Sequence, residues 1–286
     1  MHFFGFLDKV YTDLRSTPDS ERILRSIDRA QETQLIYGER FLIHEKQGSY
    51  LRVESIDQAR LIQGRWIGYQ GWIENRGILW GTPSGIEHTV TCWEAPIYEK
   101  RSDLTPFQVI GMGSKVYALG EDDQCFKLKN GWIHKEFVRS LDLTGKNIIK
   151  TAEQFIGTPY VWGGRSVPFL VDRMGVDCSG LSQLAYQIHG IMLPRNSGDQ
   201  LAAIQKIKLS ELEEGDLIFL TSPGKKSIGH VMISAGGEEI IESTETGWGV
   251  RRATFVTRLG VSRAELIGDC TQIEYKIDCG RVFDHR

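Results

Sequence analysis

The sequence predicts a multidomain chain in which two small all-β barrels of the SH3-like kind precede an α+β domain. Three observations carry this expectation. The 286 residues are 41% hydrophobic and 25% charged, which supplies apolar material for two or three small cores rather than one. From Gln34 the apolar residues alternate with polar ones at period two, broken by turn residues, as half-buried strands require. After Leu143 the period becomes helical, and a run of strand candidates follows the helices, the order of a layered α+β domain.

The first element is expected to be a short helix over Ser20 to Ala30. Ile23, Leu24 and Ile27 share one helical face, and Pro18, Asp19 and Ser20 precede them as breaker and capping candidates. Residues 1–30 are therefore assigned to an N-terminal helical segment. Next, "QLIYGERFLIHEKQGSYLRVES" divides at "EKQGSY" into two strands, and "GYQGWIE" supplies another. The order repeats downstream: "GSKVYAL", a polar turn, "CFKLK" and "GWI" follow the pattern of "GERFLIH", a polar turn, "YLRVE" and "GWI". An internal duplication of this size gives two barrels, over residues 31–83 and 84–143; one larger all-β domain is the alternative. Trp72 and Trp132 occupy equivalent places in both copies and are expected in the cores. Trp66, Tyr69 and Trp80 occur only in the first and are candidates for a binding surface.

Residues 144–286 form the expected third domain. Ile148, Ile149, Ala152, Phe155 and Ile156 make one helical face that stops at Gly157. A Gly-rich loop "TPYVWGGRSVP" leads to a second helix ending at Gly190, and "GDLIFL", "HVMISAG" and "EIIEST" read as strands.

Charge and cysteine usage narrow the function. A net charge of -3 argues against nucleic acid or an anionic membrane as partner, and no window reaches the length of an apolar membrane span. "MHFFGFLDKVYTDLR" lacks the basic start, apolar run and small-residue cleavage site of a secretory leader. Five scattered cysteines suit reduced thiols in a cytoplasmic protein. No metal-ligand spacing is present, so no metal and no cofactor are expected.

Cys178 is the residue with the clearest chemical promise. Asp177 is an N-cap candidate, which places Cys178 in the first turn of its helix, where free N–H groups and the positive end of the macrodipole favour a thiolate. Ser179 and Gly180 leave room for a substrate carbonyl. A buried structural cysteine is the plainer alternative. A thiolate needs a base, and His230 at the head of the "HVMIS" strand suits better than the terminal, β-region or same-helix histidines; a structural histidine remains its alternative.

The ordered segments "GTPYVWGG", "DCSGL", "LPRNS", "GDLIFL", "GHVMIS" and "IIEST" resemble the NlpC/P60 family of papain-like cysteine peptidases, over nearly all of residues 145–260. The resemblance implies that Cys178 attacks an amide of a bacterial wall peptide with His230 as general base. It places Glu242 where the family often has a histidine that orients the base; a solvated strand residue is the alternative. The oxyanion is expected to meet the Cys178 backbone N–H and the Tyr160 hydroxyl, unless Tyr160 is a core residue.

With two barrels ahead of it, the domain resembles the intracellular γ-D-glutamyl-L-diamino-acid endopeptidases. These cut L-Ala-γ-D-Glu from meso-diaminopimelate or L-Lys, and their first barrel walls off the groove so that a free N-terminal L-Ala is required. The resemblance implies Glu39 and Tyr69 as ammonium acceptors, with Asp177, Ser179 and Ser197 beside the thiol. Asn196 stands where the group usually has aspartate, and the connection from Trp162 to Cys178 is longer than usual. Trp162 is a candidate for the pocket wall or for a structural role. The expected protein is a monomeric cytoplasmic enzyme of murein peptide recycling. Its rivals are an N-acetylmuramoyl-L-alanine amidase or other wall amide hydrolase of the same family, and a muropeptide-binding protein with an impaired site.

Overall fold

The computed structural model describes residues 3–18, 27–138, 145–167, 174–246, 249–268 and 273–282. It divides into two compact units, Met1–Leu141 with Val161–Gly175, and Asp142–Tyr160 with Val176–Arg286.

Unit 1 opens with strands, not with the expected helical segment. β1 (Phe3–Leu7) and β2 (Tyr11–Arg15) precede β3 (Gln31–Ile36), β4 (Arg40–Gln47), β5 (Tyr50–Ile62), β6 (Arg65–Glu74) and β7 (Ile78–Trp80) in one sheet of order β3-β2-β6-β5-β4-β1-β7. Leu7 and Leu14 join Leu35, Phe41, Leu51 and Val53 in a fully buried core. These first strands are five residues each, too short for their period to show in the sequence. Most of the helix expected over 20–30 lies outside the described residues, and the described 27–30 form no helix.

A second β unit follows, made of β8 (Ile86–Thr89), β9 (Glu94–Ile97), β10 (Gln108–Gly111), β11 (Lys115–Ala118), β12 (Gly120–Glu121), β13 (Cys125–Leu128) and β14 (Gly131–His134). Val90, Ala95, Ile97, Ile110, Val116 and Ile133 fill its core. β11, β13 and β14 fall in chain order where the sequence places the counterparts of β4, β5 and β6, but β4, β5 and β6 are neighbours in one sheet whereas β11 pairs with β8 and β13 with β14 in separate sheets. The equivalent tryptophans are not core residues, however: Trp72 and Trp132 are half-buried, while Gly71, Ile73, Gly131 and Ile133 face inward, as strand alternation dictates. Lys115 Nζ reaches Asp57 Oδ1 at 2.8 Å and ties β11 to the first sheet. Gly38, with φ of 78°, passes so close to the Lys115 carbonyl that a side chain could not be placed there.

Residues 161–175 group with unit 1, although the sequence assigns them to the third domain. The reason is polar. Arg165, wholly buried, pairs with the equally buried Glu39, its backbone N–H donates to Gln34 Oε1 at 3.0 Å, and Ser166 Oγ donates to the same oxygen at 2.8 Å. Arg165→Ala leaves the Glu39 carboxylate buried without its counter-charge, and unit 1 is expected to lose ~3–5 kcal/mol. Urea unfolding checks this, with Arg165→Ala/Glu39→Leu expected to recover part of the loss.

The next elements along the chain are α1 (Gly145–Glu153), β15 (Arg165–Ser166), β16 (Gly175–Val176), α2 (Cys178–Gln187), α3 (Ser197–Ala203), β17 (Gln205–Ile207), β18 (Leu217–Thr221), β19 (His230–Gly236), β20 (Glu239–Thr244), β21 (Gly249–Thr254), α4 (Phe255–Leu259), α5 (Arg263–Ile267) and β22 (Lys276–Arg281). In unit 2 the strands form an antiparallel sheet of order β17-β22-β18-β19-β20-β21. α1 and α2 pack on β19 and β20. Ile218, Leu220, Met232 and Ile240 make another layer with Phe255 of α4. Covered on both faces, β18 reads as the continuous apolar run "LIFL". Of the expected α1 face, Ile148, Ile149, Ala152 and Phe155 are buried, but Ile156, past the helix end, is exposed.

Candidate active site

Cys178 is the first residue of α2, and the helix begins there because Asp177 caps it: Oδ1 accepts the Gly180 N–H at 2.6 Å. Nine residues behind the thiol, Ser179 to Gln187, are buried, so the helix start is a rigid platform. The sequence did not single out the residue that fixes the cap. Arg195, fully buried, grips Asp177 with Nη1 to Oδ1 at 3.0 Å and Nη2 to Oδ2 at 2.8 Å, and its Nη1 also donates to Ser179 Oγ at 2.8 Å. A bidentate fork of this kind sets both position and orientation. Asp177 and Ser179 are thus already engaged at the helix start.

His230 stands at the start of β19 and is hydrogen-bonded to Cys178. Its Nε2 lies 2.7 Å from Glu242 Oε2, which leaves Nδ1 for the sulfur. The sheet register makes this pairing. Ile233 pairs with Ile241, so Met232 is opposite Glu242, and His230 is its diagonal neighbour on the same face. Glu242 is a wholly buried carboxylate. Arg251, directly opposite it in β21, donates from Nε at 3.1 Å and Nη2 at 2.8 Å to Oε1. Arg258 of α4 donates from Nε to Oε2 at 3.0 Å.

These contacts set the charge states. Burial works against the imidazolium, but hydrogen bonds and opposite charge from Cys178 and Glu242 outweigh it and push His230 up to about 9. Burial likewise opposes the Glu242 charge, yet His230, Arg251 and Arg258 bring its carboxyl down to about 2. At neutral pH the site holds an imidazolium braced by a carboxylate, the pairing in which a cysteine peptidase attacks an amide.

Tyr160 pairs with Val176 through an isolated bridge. Burial, then the charges of Asp177 and Cys178, raise its phenol well above the usual tyrosine range, so it is a hydroxyl donor beside the thiol. Gly249 lets β21 approach this loop: its φ is 138°, and a side chain there would strike the Thr158 carbonyl. The Gly157 and Val250 N–H groups close the contact at 2.9 Å each, to Val250 and Thr158 carbonyls. Among the described residues no group of His, Cys, Asp and Glu could hold a metal ion.

The NlpC/P60 family profile matches residues 157–261, the stretch that contains Tyr160, Cys178, His230 and Glu242. This chain carries an NlpC/P60 domain. The gamma-D-glutamyl-L-lysine dipeptidyl-peptidase of Bacillus subtilis strain 168 is 28% identical over 236 residues, 79% of this chain and 77% of that protein. A protein of the same name from Bacillus cereus strain ATCC 10987 is 28% identical over 235 residues, 74% of this chain and 67% of the other. The crystal structure of an NlpC/P60 family protein from Bacillus cereus ATCC 10987 shares the fold, with a TM-score of 0.79, 24% identity, and coverage of 98% of this chain and 100% of that one.

The remaining expected site residues fall as follows. Ser197 and Asn196 lie half-buried at the start of α3; Asn196 caps by position only and donates to Asp199 Oδ2 at 3.1 Å. In unit 1, Trp162 is exposed. Tyr69 is buried, and its hydroxyl donates to Glu32 Oε2 at 2.9 Å. Glu39 is a correction. Its carboxylate is 0% exposed and fully occupied by Arg165, the Gln58 amide at 3.0 Å and the Ile36 N–H at 3.1 Å, so it is a structural counter-ion and has no face for a ligand ammonium. The carboxylate that Tyr69 holds is the half-buried Glu32. Of the aromatics found only in the first copy, Trp66 and Trp80 are exposed, and Trp80 lines a cleft in unit 1 with Phe6, Tyr37, Tyr117 and Asp8.

Proposed function

We propose that the protein is a cysteine endopeptidase that hydrolyses the amide between γ-D-glutamate and an L-diamino acid in peptidoglycan-derived peptides bearing a free N-terminal L-Ala. The observation that carries the reading is the Cys178–His230–Glu242 constellation in a domain whose relatives over three quarters of the chain are gamma-D-glutamyl-L-lysine dipeptidyl-peptidases.

Cys178 Sγ attacks the γ-carbonyl carbon while the Cys178 backbone N–H and the Tyr160 hydroxyl receive the developing oxyanion. Collapse expels the diamino acid, whose departing nitrogen takes the His230 proton. A thioester to L-Ala-γ-D-Glu remains. Water, deprotonated by His230, then attacks it, the sulfur leaves, and L-Ala-D-Glu is released. Glu242 keeps the ring aimed and supports its charge through both halves. No cofactor enters these steps.

A buried ammonium without acceptors would cost several kcal/mol. In unit 1 the candidate acceptor is Glu32 in place of Glu39, with Tyr69 holding its carboxylate. Asp177, Ser179, Asn196 and Ser197 are the proposed peptide contacts around the helix starts of unit 2, and Trp162 is a proposed pocket residue. The two β units are read as SH3-like modules on their size and repeated strand order. Among the described residues no helix is long and apolar enough to cross a membrane; a cytoplasmic monomer is part of the proposal.

Mass spectrometry of products from L-Ala-γ-D-Glu-L-Lys and its meso-diaminopimelate counterpart, beside N-acetylated and MurNAc-linked versions, tests this reading. Free dipeptide from the unblocked peptides alone is the expected result. Release of an intact stem peptide from the MurNAc version would make the enzyme an amidase and remove the ammonium requirement.

A further inference from the structure

The sequence offers no hint of the two arginines that enclose Glu242. Carboxylates that orient a catalytic imidazole need only accept a hydrogen bond from its ring N–H, and one neutral donor would suffice to hold them in place. Here the wholly buried carboxylate receives three N–H bonds from two guanidinium groups on separate elements. Arg251 takes Oε1 with a fork from β21. Arg258, reaching in from α4, takes Oε2, the same oxygen that meets His230 Nε2. Arg258 is itself steadied against the Tyr275 ring, 5.7 Å from its centroid.

Resting on the catalytic reading above, we propose that Arg251 and Arg258 are positioning residues that lock the Glu242 carboxylate toward His230 and, as like charges, hold down the basicity of the imidazole it supports. Three charged or titratable groups surround the His230–Glu242 pair: Cys178 from α2, Arg251 from β21 and Arg258 from α4. Tyr160 lies within electrostatic reach of Cys178 and Asp177. Glu242 and Cys178 favour the imidazolium; the arginines oppose it. The imidazole must give its proton to the leaving amine and take one from water, so a midpoint carried too high would slow the second step.

Charge and geometry separate in the choice of variant. Arg258→Gln removes a positive charge close to the imidazolium, so the His230 midpoint is expected to rise by on the order of one pH unit. Turnover should fall about 10-fold or more at unchanged KM, because the ring is less well aimed. Arg258→Lys keeps the charge and loses the planar guanidinium; its midpoint should stay within about 0.3 unit of wild type while turnover remains reduced. Arg251→Gln, on a different strand, should also raise the midpoint.

The experiment is NMR titration of the His230 ring in each folded variant, together with the pH dependence of Cys178 alkylation by iodoacetamide. Neither reading needs a peptide substrate, so they stand even if every peptide in the product assay is left intact, which would sink the functional reading alone. A rise in Arg258→Gln and Arg251→Gln, reversed in Arg258→Lys, supports the proposal. An unchanged or lowered midpoint in the Gln variants, or a Lys variant that titrates like Gln, overturns it.

Discussion

Cys178→Ala is expected to lower turnover by about five orders of magnitude or more, to the rate of the uncatalysed amide. The sulfur is the only atom that forms a covalent bond to substrate in this account. Its neighbours on α2 are buried and capped through Asp177 and Arg195, so the helix does not depend on it. The variant should unfold within about 1 kcal/mol of wild type, because one small half-buried group is lost. Steady-state kinetics with a urea unfolding curve on the same sample separates loss of chemistry from loss of fold. Residual activity above a hundredth of wild type would mean that another group is the nucleophile.

The second large effect belongs to Glu242→Gln. The substitution keeps the shape but removes the charge that offsets the buried imidazolium. His230 should then titrate well below about 9, moving the alkaline limb of turnover to lower pH, opposite to the shift expected for Arg258→Gln. Loss of the orienting carboxylate in a comparable triad lowers turnover about 10⁴-fold; a fall of about 10²–10⁴-fold is expected here.

Stability changes too, and its sign follows from the two midpoints. Glu242 lies below its usual value, near 2, so its contribution is present above about 4.5 and is lost as pH falls toward 2. His230 lies above its usual value, near 9, so its contribution is present below about 6.5 and is lost as pH rises through 9. In Glu242→Gln both slopes should flatten, and the uncompensated arginines should destabilise the fold at pH 7. Urea midpoints across pH 2 to 10 read all three changes.

Much of the site was legible because its chemistry depends on local sequence. The Asp177 cap, the thiol and the small Ser179–Gly180 pair lie within four residues, while Glu242 is placed by the family resemblance and not by spacing. What the sequence concealed depends on tertiary geometry. Arg251 could have been paired with Glu242 across β20 and β21, but only with their register known. Arg258 sits in a five-residue helix whose docking leaves no periodic trace. Glu39 misled because the resemblance placed it among the ammonium acceptors, while its buried partner Arg165 lies 126 residues away in the chain. The strands at residues 3–15 were missed because five-residue strands of an N-terminal segment lack enough alternation to be recognised.

The most direct test of the central claim is intact-protein mass spectrometry of wild-type enzyme mixed with L-Ala-γ-D-Glu-L-Lys and quenched in acid during the first turnovers, followed by peptide mapping. The account predicts an L-Ala-γ-D-Glu acyl group on Cys178, absent from Cys178→Ala and discharged on longer incubation. Peptide cleavage that persists in Cys178→Ala, or an acyl group of different composition on Cys178, would contradict it.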